Sequence, residues 1–77
     1  MIRELDTVAL TRNLPEHGLT AGDVGAVVHA YPNKTAFEVE FVTEAGETVA
    51  LVTLTANEIR PLVGREILHA RSLEAAD

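Results

Sequence analysis

The clearest pattern in the chain is a strict alternation of apolar and acidic side chains near its middle. Phe37, Val39 and Phe41 alternate with Glu38 and Glu40. Because successive side chains of a β-strand point to opposite faces, this spacing places both rings on one face and both carboxylates on the other. The pattern predicts a β-strand with one buried face and one face in water.

Four other segments have the composition of short strands and are separated by turn-forming residues. Their β-branched side chains favour extended structure, and the glycine, proline and asparagine between them favour turns. The fourth predicted strand has apolar side chains on both faces and therefore needs cover on both. The five predicted strands span residues 6–11, 24–31, 37–41, 48–54 and 59–62.

The connections between these strands indicate the kind of β fold. Residues 12–23 form a long first loop, which we expect Leu14 and Leu19 to anchor on the core. Residues 55–58 are typical of one helical turn, and Gly25 supplies the bend that a barrel corner needs. This arrangement predicts a mainly β chain, a small five-stranded SH3-like barrel, with a small OB-type barrel as the alternative.

The spacing of apolar residues changes after residues 1–62, which we assign to the SH3-like domain. Residues 63–77 form a tail that is rich in helix-favouring residues. A helix of this length is marginal alone in water, so we predict a short C-terminal helix that docks on strand four, or else a disordered tail that awaits a partner. The tail residues that share one helical face are Val63, Ile67, Ala70 and Glu74.

Composition restricts the partners of the chain. Its 77 residues suffice for one small domain, and without cysteine no disulfide or thiolate metal site can reinforce the core. The net charge is −6, so no basic stripe is present to neutralise a nucleic-acid backbone or an anionic membrane. Since no apolar run is long enough for a membrane span or a signal peptide, we expect a cytoplasmic protein.

No group of polar residues has the spacing of a catalytic or metal site. His17, His29 and His69 are too far apart to form a metal-binding pair on one helix, and no cysteine completes a tetrahedral site. Glu38 and Glu40 share a solvated strand face, where both carboxylates stay ionised and do not form an acid–base pair. We therefore expect no enzyme activity, no metal, no cofactor and no small-molecule substrate.

Five short motifs occur in order between residues 5 and 62. They are LDTV at 5–8, LPEHGL at 14–19, GDVGAVV at 22–28, FEVEF at 37–41 and IRPL at 59–62. Together they resemble a small bacterial family known only as domain of unknown function 4926. The resemblance implies an SH3-like barrel, and it brings no established activity and no functional residue with it.

Residues 22–27 are also similar to the KOW element of ribosomal and transcription proteins, because they share its spacing of two glycines. The lysines that contact RNA in that element are absent, since Ala21, Asp23 and Ala26 stand where basic or polar residues are typical. Nucleic-acid binding is therefore disfavoured and kept as an alternative.

By elimination, the sequence favours a non-catalytic protein-interaction module or a self-associating one. Its acidic surface suits a basic partner, as in the small antitoxin or immunity proteins that cover the product of a neighbouring gene. The alternatives are an accessory barrel of a larger enzyme, similar to the SH3-like part of nitrile hydratase β subunits, and a KOW-like nucleic-acid-binding domain. The predicted partner-binding residues are Val52, Leu54, Ile67, Leu68 and Leu73.

Overall fold

The computed structural model describes residues 2–73 and contains five β-strands. Neighbouring strands pair antiparallel in one sheet of order β4-β3-β2-β1-β5. Every strand end lies within one residue of the predicted bounds, so the prediction of a mainly β chain with five strands is confirmed. The strands are β1 (Thr7–Leu10), β2 (Val24–Ala30), β3 (Ala36–Val42), β4 (Thr48–Thr55) and β5 (Ile59–Pro61).

The sheet curls because a short connection joins its two outermost strands. β4 ends at Thr55 and β5 begins at Ile59, a step that spans about 14 Å when fully extended. In a flat sheet, strands at the two ends of this order would lie about 19 Å apart. Within residues 2–73 no ladder joins β4 to β5, so the sheet is curled without being closed, and the predicted barrel closure is not observed.

One face of the curled sheet forms the core. The β3 side chains Phe37, Val39 and Phe41 are at most 2% exposed, whereas Glu38 and Glu40 lie on the opposite, outer face. This outcome confirms the alternation seen in the sequence. The buried cluster consists of Val8, Leu10, Leu14, Leu19, Val27, Phe37, Val39, Phe41, Leu54 and Ile59.

The long first loop is anchored on this core as expected. Leu14 and Leu19 are 2% and 3% exposed. Their backbones also pair, because Leu14 N donates to Leu19 O at 2.9 Å and Leu19 N donates to Leu14 O at 3.1 Å. A 3₁₀ turn at Pro15–His17 fits between them, so the loop is a packed part of the domain.

An irregularity in β2 determines what reaches the outer face. The pairing with β3 shifts between Val27 and His29, so that His29 lies opposite Glu38. A β-bulge of this kind inserts an extra residue and bends the strand. The bulge thereby turns His29 toward the acidic outer face and contributes to the curl of the sheet.

The prediction of a C-terminal helix is wrong. Residues 62–73, named the C-terminal segment below, contain no helix, and their one turn is closed by Glu66 N donating to Val63 O at 3.1 Å. The physical reason is that a short isolated helix is marginal, whereas ion pairs with Arg60 of β5 and with Asp23 hold the segment in a non-helical conformation. Glu74, part of the predicted helical face, lies outside the described residues.

The predicted helical turn before β5 is also not a helix. Residues 56–57 form a hydrogen-bonded turn in which Glu58 N donates to Thr55 O at 3.0 Å. The Glu58 carboxylate in turn accepts a hydrogen bond from Thr55 N at 2.9 Å. Across residues 2–73 no helix is long and apolar enough to cross a membrane.

Candidate functional site

The C-terminal segment returns to the beginning of β2 and is held there by Arg71. The Nε atom of Arg71 donates to Oδ1 of Asp23 at 2.8 Å, and its Nη2 atom donates to Gly18 O at 3.0 Å. Asp23 is itself fixed in a turn, because its Oδ2 atom accepts a hydrogen bond from Thr20 N at 2.9 Å. The guanidinium group therefore meets a carboxylate that is already oriented.

The electrostatics of this contact favour the charged forms of both groups. The hydrogen bond from Arg71 is the largest cause that holds the pKa of Asp23 below its usual value, against the opposing effect of partial burial. The same hydrogen bond raises the pKa of Arg71. The contact between the segment and the domain is thus a charge-assisted one at neutral pH.

A second ion pair holds the beginning of the segment against β5. Arg60 binds Glu66 through two nitrogens, with Nη2 at 2.6 Å from Oε2 and Nη1 at 2.9 Å from Oε1. Glu66 Oε1 also accepts a hydrogen bond from Val63 N at 2.8 Å. The hydrogen bond from Arg60, followed by that from Val63, lowers the pKa of Glu66 to about 2.

This ion pair gives a first testable prediction. Because the pKa of Glu66 in the folded chain lies below its ordinary 4.5, the pair favours the held segment above pH 4.5 and is lost as the pH falls toward 2. Arg60→Gln should return the pKa of Glu66 toward 4.5, as followed by NMR of the side-chain carboxyl carbon. Arg65→Gln is the matched control, since Arg65 makes no ion pair with the described residues. An unchanged titration in Arg60→Gln would contradict the pairing.

Two concave surfaces lie where the C-terminal segment crosses the sheet. The first has a volume of about 380 Å³ and is lined by Leu73 of the segment and by Leu19, Phe41 and Val49. The second has a volume of about 510 Å³ and is lined by Leu68 and by residues of β1, β2 and β3. The segment therefore forms one wall of both grooves.

The structure separates the five residues that were predicted to bind a partner. Leu54 is 2% exposed in the core, and Val52 is half-buried and packed against it. The other three lie on the C-terminal segment, where Ile67 is 94%, Leu68 66% and Leu73 47% exposed. The β4 members therefore face the core, and the surface that remains belongs to the segment.

The apolar residue that β4 does expose is Leu51, which the sequence did not single out. It is 58% exposed and lies opposite Glu40 of β3. Directly paired residues of antiparallel strands share a face, and Glu40 had already been placed in water. The pairing of β4 with the alternating strand β3 was the signal that could have identified Leu51 as an exposed residue.

A polar cluster occupies the outer face around Glu38. Its Oε2 atom accepts hydrogen bonds from the hydroxyls of Tyr31 and Thr53, both at 2.6 Å. The His29 ring stands edge-on to Tyr31 with centroids 4.7 Å apart, and its Nδ1 atom is 3.4 Å from Oε2 of Glu4. The cluster brings together groups from the N-terminus, β2, β3 and β4.

Hydrogen bonds within this cluster shift the pKa values of Glu38 and Tyr31. Hydrogen bonds from Thr53 and then Tyr31 lower the pKa of Glu38, and the bond to Glu38 raises the pKa of Tyr31. Each shift stabilises the form that the group already has at neutral pH, whereas a catalytic acid or base needs a pKa near that pH. Residues 2–73 also contain no group of three His, Asp or Glu side chains that could hold a metal ion.

Comparison with known protein families identifies one that matches most of this chain. A family model described as domain of unknown function (DUF4926) matches residues 4–61. The chain belongs to the DUF4926 family. The resemblance inferred from the sequence motifs is therefore confirmed. No curated protein and no solved structure matches the chain. In this DUF4926 protein the matched region contains all five strands, and the C-terminal segment lies outside it.

Proposed function

We propose that this DUF4926 protein is a non-catalytic interaction module that binds another protein through its C-terminal segment. The observation that carries the proposal is the exposure of two adjacent apolar side chains, Ile67 at 94% and Leu68 at 66%. The ion pairs of Glu66 and Arg71 hold the backbone on either side of them. A surface that is held before binding loses less conformational entropy when a partner arrives.

The charge of the chain supports a basic partner protein. A net charge of −6 accelerates encounter with a positively charged surface and opposes contact with acidic ones. The partner we propose is the product of a neighbouring gene in the cytoplasm, which this small acidic protein covers as an antitoxin or immunity protein does. We propose that the curled sheet is an SH3-like barrel left open between β4 and β5, and that it supports this surface.

The arginine contacts favour a protein partner over the KOW-like alternative. Arg12, Arg60 and Arg71 are each engaged by a carboxylate of the same chain. Nucleic-acid binding requires cations that are available to phosphate groups, and its affinity falls steeply with salt. Arginines that are already neutralised within the domain contribute little to such binding.

The test is calorimetric titration of the purified neighbouring gene product with the full chain and its variants. Changing both apolar residues, by Ile67→Asp and Leu68→Asp, should weaken binding at least about tenfold, since two exposed contacts of a binding surface are lost. Leu5→Asp is the matched control, because Leu5 is 85% exposed and lies outside the segment. Equal affinities of the double variant and the unchanged chain would refute the proposal.

A further inference from the structure

Strand β4 is an edge of the sheet, and within residues 2–73 only its last residue, Thr55, has its outward backbone groups bound by Glu58. β4 pairs with β3 from Ala36↔Thr55 to Val42↔Thr48, and no described strand pairs with its other side. Thr55 donates its N–H to the Glu58 carboxylate instead of to β3. Since backbone groups alternate in direction along an antiparallel strand, the N–H and C=O groups of Leu51 and Thr53 also point away from the sheet.

The middle of this edge lacks the devices that normally protect an exposed strand. Residues 48–57, with the sequence TVALVTLTAN, contain no charged residue, no proline and no glycine, although the chain as a whole carries a net charge of −6. Exposed edges are usually blocked by lysine, by proline or by covering elements, because their unpaired backbone groups can pair with another chain. The one irregularity is at the beginning of β4, where the shift in pairing between Phe41 and Val42 leaves Val49 as an extra residue, and this bulge does not reach Leu51 or Thr53.

The opposite edge is protected. β5 has three residues, Ile59–Pro61, and its sequence includes both an arginine and a proline. Arg60 is engaged with Glu66 of the C-terminal segment. A short strand with proline and a covering ion pair is a poor template for pairing. The two edges therefore differ strongly in their capacity to accept another strand.

We propose that β4 pairs antiparallel with β4 of a second copy of this chain, which joins two curled sheets across a two-fold axis. Residues directly opposite each other must share a face, and a register centred on Val52 satisfies this condition. It places Leu51 opposite Thr53 of the second copy, so that the outward backbone groups of each residue satisfy those of the other. Val52, half-buried in one copy, then packs against its equivalent at the axis.

The distribution of charge restricts where a second copy can approach. Two chains of net charge −6 repel each other over most of their surfaces, and the uncharged strand is where they can approach. In the register centred on Val52, Leu51 and Thr53 lie opposite each other and Ala50 lies opposite Leu54, so no charged side chains face each other within the paired part of β4. Because the pairing uses the same edge of both copies and β5 is blocked, assembly stops at a closed dimer.

The test measures the mass of the full chain by analytical ultracentrifugation over a wide range of protein concentration. The average mass should rise from the 8.3 kDa of one chain toward twice that value. In the same samples, hydrogen exchange of the Leu51 and Thr53 amides should slow as the dimer forms. A mass that stays at one chain at every concentration would overturn the proposal without any variant.

The variant Leu51→Lys tests whether the two copies meet at β4. Lysine at this position lies beside Glu40 on the outer face, so the single sheet remains stable, while two lysines approach each other across the axis. The dimer dissociation constant should rise at least about tenfold. Leu5→Lys is the matched control, since Leu5 is also an exposed leucine and lies outside β4, and it should dimerise like the unchanged chain.

The outcomes also separate this inference from the proposed function. An unchanged dissociation constant in Leu51→Lys would overturn the inference, because the copies would then meet through another surface. The double change at Ile67 and Leu68 should leave the dimer intact, since neither residue lies in β4. If that double change abolished the dimer instead, the C-terminal segment would be the contact between copies and the β4 pairing would be refuted.

Discussion

Leu54→Ala is expected to lower the free energy of unfolding by about 2–5 kcal/mol, as is typical when a buried leucine is truncated. Leu54 is 2% exposed and lies opposite Phe37 on the inner face of the sheet. The substitution removes apolar contacts and leaves a cavity that the curled sheet cannot easily close. For a small domain this is a large fraction of the total stability. Urea denaturation of dilute protein, followed by circular dichroism, measures it.

Leu51→Ala provides the comparison within the same strand. Leu51 is 58% exposed on the outer face, so its truncation should cost less than about 1 kcal/mol. If both alanine variants lowered the free energy of unfolding equally, Leu54 would not be the buried residue and Leu51 the exposed residue of β4. The pair of variants also separates a core role of Leu54 from the partner-binding role that its sequence suggested, since a residue exposed for docking would tolerate alanine.

Gly25→Ala should destabilise the chain by about 1–3 kcal/mol through overpacking of the core. A Cβ atom at this position would lie 2.8 Å from both Phe41 Cε2 and Val39 Cγ1 and 2.9 Å from the backbone oxygen of Glu40. The side chains could shift, but the oxygen belongs to the β3 backbone and is held by the sheet. In a domain of this size each kcal/mol lowers the melting temperature by about 4–8 °C, which calorimetry resolves.

Gly64→Ala is the control for this substitution. A Cβ at Gly64 meets no atom within 4 Å, and the residue has no positive φ. Alanine there should leave stability unchanged or raise it by a few tenths of a kcal/mol, because it reduces the freedom of the unfolded chain. If both glycines tolerated alanine equally, the close approach of β2 to β3 would be disproved.

The role of Gly25 shows what sequence could and could not provide. The glycine was predicted to matter because a barrel corner needs a bend. Gly25 does not have the positive φ that demands glycine, and what excludes a side chain is the close approach of the β3 backbone at Glu40. That approach depends on residues more than ten positions away, which no local pattern contains.

The orientation of β4 also depends on contacts that no local sequence pattern contains. Apolar residues on both sides of this strand left the choice of core face open, and Val52 and Leu54 were assigned to binding. Their pairing with Val39 and Phe37 places them inward. The alternation of β3 is unambiguous alone, whereas β4 takes its orientation from β3.

The proposed binding surface and the proposed dimer edge occupy different parts of the molecule. The segment around Ile67 is apolar and held by ion pairs, and the β4 edge offers backbone hydrogen bonds and no charge. A dimer formed through β4 would present two copies of the segment to partners. Binding of a partner that also has two sites would then be strengthened by avidity.

The sequence by itself determined the number, limits and composition of the strands, the anchoring of the first loop by Leu14 and Leu19, and membership of the family. These features depend on periods of two residues, on turn composition and on motif order, all of which are local or linear properties. Only the tertiary structure decided which face of β4 is buried, that the sheet curls without closing, and that residues 62–73 are not helical. These properties result from contacts between distant residues, such as Arg71 with Asp23, whose free energy outweighs the weak helical preference of a short segment.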